Sequence, residues 1–87
     1  MKIDYKITEY FEKNNMMDDT TSNGIIIHNN ESELLVEGST RDLVELADLI
    51  VNVAASKIKG THVHIDQNTL LNESSNIKEI IIQKNRG

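Results

Sequence analysis

The sequence predicts a small α+β domain, an antiparallel sheet of about four or five strands with one main helix packed on one face. Two observations carry this. A capped, strongly apolar helical stretch begins at Ser39, and short runs of alternating polarity flank it on both sides. With 87 residues the chain has room for one domain, 1–87. A chain of this length buries only roughly 60% of the surface that its unfolded form exposes, so the core is thin. Tyr5, Tyr10 and Phe11 are the only aromatic residues, which leaves the rest of that core aliphatic.

Met1 to Thr8 alternates, with Ile3, Tyr5 and Ile7 on one side and Lys2, Asp4, Lys6 and Thr8 on the other. This predicts a half-buried N-terminal strand, although Ile3, Ile7, Tyr10 and Phe11 also share a helical face. Asn14 to Asn23 is polar apart from Met16 and Met17 and reads as a loop, so residues 1–23 are a strand plus a loop. Gly24 to His28 and Glu33 to Glu37 are strands joined by a short hairpin connection.

Ser39 is placed to cap the helix, with Asp42 adding negative charge at its positive end. Leu43, Leu46, Ala47, Ile50 and Ala54 fall on one stripe, and Leu46 and Ile50 are expected in the core. The polar back is Arg41, Glu45, Asp48 and Asn52. The helix is expected to end near Lys57, and Gly60 resets the backbone. Thr61 to Asp66 alternates with Val63 and Ile65 inward. Gln67 to Asn76 reads as a polar loop interrupted by Leu70 and Leu71, and Ile77 to Lys84 as a closing strand.

Charge is uneven. The net charge is −5, and residues 14–56 hold eight acids against the single base Arg41. Such a field repels phosphates and favours a basic partner, although plain solubilisation has the same signature. There is no cysteine, hence no disulfide and no thiolate site. No apolar run reaches the length of about 18 residues needed to span a membrane. Residues 1–15 do not form a secretory signal, and a cytoplasmic location is expected.

Alternation places Ile26, His28, Glu33, Leu35, Glu37, His62, His64, Asp66 and Ile81 on the sheet face away from the helix. Glu79 and Gln83 join them. Aliphatic groups among acids, with no Lys or Arg, have the character of a partner-binding surface unless the N-terminal strand or a twin subunit covers them. His62, His64 and Asp66 also offer metal-ligating groups at alternate positions, but three residues of one strand span too far to meet one ion easily. No cofactor, metal or catalytic residue is therefore assigned. Ser74 and Ser75 lack a nucleophile-elbow motif, and Glu37 and Asp42 disfavour an anion at the helix start.

A glycine followed by a helix of the form Leu43-x-x-Leu46-Ala47-x-x-Ile50, then His62-Val63-His64-Ile65-Asp66, then Glu79-Ile80-Ile81-Ile82, resembles the immunity protein 32 family. The resemblance spans Leu34 to Lys84, with a longer segment from Asn72 to Lys78 than the family leads one to expect, and the first 23 residues add nothing to it. It implies a non-catalytic bacterial protein of polymorphic toxin systems that binds and neutralises a cognate toxin in the producing cell. The alternatives are another protein-binding or oligomerisation module, a homodimer included, and a small metal-dependent enzyme using His62, His64 and Asp66.

Overall fold

A computed structural model of the chain describes residues 6–86. Its elements are helix α1 (Ile7–Lys13), strands β1 (Ile26–Asn29) and β2 (Leu34–Glu37), helix α2 (Thr40–Ala55), and strands β3 (His62–Asp66) and β4 (Glu79–Gln83).

Helix α2 starts where its cap places it. Ser39 is extended, and its Oγ accepts the Asp42 N–H at 3.0 Å. The helix stops at Ala55, slightly before Lys57. Its last turn holds no basic residue of its own. Lys84, just past β4, supplies the charge by donating to Ala54 O at 3.0 Å and to Ser56 O.

The strands do not make the single sheet of four or five that alternation predicts. β1 pairs with β2, and β3 with β4, as two separate antiparallel two-stranded sheets. The reason lies in residues 70–76, which run along the outer edge of β1 and occupy it. Ile25 N–H donates to Leu70 O at 2.7 Å, and Ile25 O accepts Asn72 N–H at 2.7 Å. Farther along, Ile27 N–H donates to Ser75 Oγ at 2.9 Å, while the Asn76 amide binds both Asn29 N–H (2.8 Å) and Asn29 O (2.9 Å). The Ser75 hydroxyl and the Asn76 side-chain amide thus complete, beside three backbone bonds, what a strand ladder would otherwise supply.

The same segment brings Leu70 and Leu71 into the core, where they join Ile25, Ile27 and Ile65. Leu46, Leu49, Ile77, Ile80 and Ile82 pack against that cluster. The core prediction for α2 is therefore half corrected. Leu46 packs inward, but Ile50 is 43% exposed, and the buried positions are Asp42, Val44, Asp48, Asn52 and Val53.

Burial of Asp48 explains the other departure. Ile7 and Thr8 belong to a helix, not to a strand; Met1 to Tyr5 lie outside the described residues. Lys6, at the N-cap of α1, offers no side-chain bond. Asp48 of α2 takes that role, accepting from Ile7 N–H and, at 2.6 Å, from Thr8 Oγ1. Ile7 and Phe11, one turn apart, line a shallow groove with Leu43, Val44 and Ala47. A tertiary acceptor has overridden the local alternation.

Candidate functional site

Cross-strand register determines which predicted residues come together. In the first hairpin Ile26 faces Glu37 and His28 faces Leu35, and alternation adds Glu33 to that side. In the second hairpin His62 faces Gln83, His64 faces Ile81 and Asp66 faces Glu79. Each set shares a face as alternation predicts, but the two sets lie on different sheets with no ladder between them.

The first hairpin is the more unusual. None of the four residues of β2 is buried: Leu34 is 62% exposed, Leu35 52% and Val36 38%. By contrast, alternate residues of β4 (Ile80 and Ile82) rest on the core. Hydrogen bonding shows which edge of β2 is open. Because Ile25, Ile27 and Asn29 turn their backbone groups toward residues 70–76, Ile26 and His28 are the β1 residues bonded to β2. Their partners Glu37 and Leu35 bond inward, so Leu34 and Val36 present N–H and C=O groups outward. No hydrogen bond among the described residues takes these four groups. Asn30 fixes the turn, accepting from Ser32 and Glu33 N–H at 3.2 and 2.9 Å.

Beside the end of β2 lies an open notch of about 290 Å³, lined by Asp19, Glu37 and Asp42 among others. Hydrogen bonds from the Thr21 side chain and backbone hold the Asp19 carboxyl below its ordinary value, keeping it anionic. Asp42 is 1% exposed, and one of its oxygens lies 3.1 Å from Ser39 Oγ. The other oxygen, Oδ1, has no hydrogen-bond partner among the described residues. The exposed carboxylates of Asp19 and Glu37 at a cleft of this size, with Asp42 buried behind them, suit a cationic side chain. Sequence reasoning did not group Asp19 and Asp42 with the binding residues. The Asp19-x-Thr21 spacing is the one local signal that could have marked Asp19 as ordered.

The histidines of β3 make contacts within their own segment of chain and one across to β4. The His62 and His64 rings meet edge to face at 5.1 Å, His62 Nδ1 lies 3.0 Å from Gly60 O, and His64 Nδ1 lies 3.2 Å from Glu79 Oε2. Asp66 turns away to accept from Asn68 N–H at 2.9 Å. Among the described residues, no three His, Asp or Glu side chains are placed to hold one metal ion. Replacing His62 and His64 together by Gln is expected to shift unfolding free energy by no more than about 0.5 kcal/mol, since these are exposed contacts. Urea denaturation checks this, and stoichiometric zinc lost in the double variant would identify the pair as ligands instead.

No helix among the described residues is long and apolar enough to cross a membrane. Comparison with protein-family models, with curated proteins and with solved structures finds no match for this chain.

Proposed function

We propose that this chain is a non-catalytic binding protein that captures a basic protein toxin and neutralises it in the cytoplasm of the cell that makes it. The observation that supports this reading most is the uncovered acidic hairpin. From Asn14 to Thr40 the sequence has Asp18, Asp19, Glu31, Glu33 and Glu37 and not one Lys or Arg, and within this stretch Leu34, Leu35 and Val36 stand exposed. An apolar patch rimmed by one sign of charge fits a protein partner of the opposite sign and repels nucleic acid. The resemblance to the immunity protein 32 family supplies the toxin. A module that binds some other protein, or a second copy of itself, is the second reading, favoured by the separate exposed position of Ile81 on the other hairpin.

Coexpression with a toxin encoded beside this chain tests the first reading. The expected result is cell survival and a complex that cofractionates; death of the cells with no complex removes it. In such a complex, Glu33→Lys with Glu37→Lys should lower the association rate constant about tenfold at low ionic strength and flatten its salt dependence. Glu45→Lys on the exposed side of α2 should do less. Rates measured by stopped flow that respond only to Glu45→Lys would move the docking face to α2.

A further inference from the structure

We propose that the free edge of β2 is a strand-addition site, and that its occupant is an extended apolar segment with basic flanks contributed by a partner protein. The proposal rests on reading the first hairpin as a protein-binding face, but not on the partner being a toxin.

The edge is guarded only by its shortness and by the acids at its two ends. Exposed edges are ordinarily blunted also by Lys, Pro, a bulge or a covering element, and among the described residues β2 has only its length of four residues with Glu33 and Glu37 at the two ends. Leu34 and Val36 hold their backbone groups outward at the spacing of a ladder, and both faces of the strand are uncovered. β1 contrasts with it, its outer edge being filled by residues 70–76. The hairpin therefore has one satisfied edge and one waiting edge.

Charge decides the occupant. A second copy could use all four groups only in an antiparallel pairing about Leu35, and that register sets Glu33 of each copy opposite Glu37 of the other. Like charges directly opposed destabilise a strand pair, and here the clash occurs twice. A segment flanked by Lys or Arg turns both positions into attractions. At the Glu37 end, the notch lined by Asp19 and Glu37 is placed to receive one of those cations. Main-chain bonds would provide the docking and the acids the selectivity.

The test uses the full chain labelled with nitrogen-15 and two blocked peptides, Lys-Val-Thr-Val-Lys and its twin with Glu at both ends, at millimolar concentration. The Lys-ended peptide is expected to shift the Leu34 and Val36 amides and slow their hydrogen exchange, binding about tenfold more tightly than its twin. Val36→Pro removes one outward donor without touching the β1 ladder and should abolish the response. Should that variant fail to fold, Glu33→Lys with Glu37→Lys decides, because it must reverse the preference between the peptides. Silent amides at Leu34 and Val36, or equal affinity for both peptides, would overturn the proposal. So would sedimentation of the chain alone as a dimer with those amides already protected, which makes a second copy the occupant. If toxin protection fails while the amides respond, only the identity of the partner is lost; silent amides beside an intact toxin complex place the docking elsewhere.

Discussion

Ile65→Ala is expected to destabilise the chain by about 2–5 kcal/mol, read as a fall in the urea midpoint with little change in slope. Ile65 is 0% exposed and sits in the cluster where β3 meets Ile25 and Ile27 from the first hairpin and Leu70 and Leu71 from the connecting segment. Removing its side chain therefore opens a cavity between parts of the chain that no strand ladder holds together. Domains of this kind have roughly 5–15 kcal/mol in total, so the variant should lie near the edge of folding at 37 °C. Ile50→Ala is the control. It removes a side chain of the same size from an exposed position and should cost about 1 kcal/mol or less. Equal effects at the two positions would mean that the core has been located wrongly.

Gly24→Ala is expected to cost about 2–4 kcal/mol, a large effect for one methyl group. Two causes add. The backbone at Gly24 has φ +84°, where a side chain is strained, and the added Cβ would stand 2.6 Å from Leu70 O and 3.1 Å from Asn72 N. Those two atoms bond Ile25 on either side, so relief of the clash breaks the junction between β1 and residues 70–76. Gly60 separates the causes. Its φ is +80°, but the nearest atoms to its Cβ belong to the flexible Arg86 side chain at 3.4 Å or more. Gly60→Ala should thus show the conformational cost alone, about 1 kcal/mol. Matching midpoints for the two variants would show that no clash exists at Gly24.

What the sequence made legible follows the range of the forces involved. The Ser39 cap, a short hairpin connection between the first two strands, a backbone reset at Gly60 and the outward histidines of β3 all depend on neighbours within a few residues and stand as read, although the turn closes between Asn30 and Glu33 and so takes Glu33 out of the strand. The two acids Asp42 and Asp48 were counted toward an acidic surface and are instead buried, one beneath the start of α2 and the other under α1. Nothing in the spacing of Asp48 announces a bond to Thr8, forty positions earlier. For Leu70 and Leu71 the signal was present, an apolar doublet inside a polar stretch, but its meaning depends on β1 having an unfilled edge. The outward face of the second hairpin was readable from alternation, whereas in β2 the residues read as inward, Leu34 and Val36, are exposed as well. The separation of the hairpins onto two sheets was not readable, because alternation fixes the face of a strand and leaves its neighbour open.

Residues 70–76 also impose an order in time. The side-chain bonds from Ser75 and Asn76 to Ile27 and Asn29 span 48 and 47 positions, so they cannot form until residues 75 and 76 have left the ribosome. Until then the first hairpin is a ribbon open along both sides, tied only by its own turn, and such ribbons are marginal in water. Arrival of the late segment seals one side and leaves the other as it was. During synthesis the nascent hairpin is exposed to mispairing on two fronts, and the difference between a closed and an available side is acquired only once residues 70–76 have emerged.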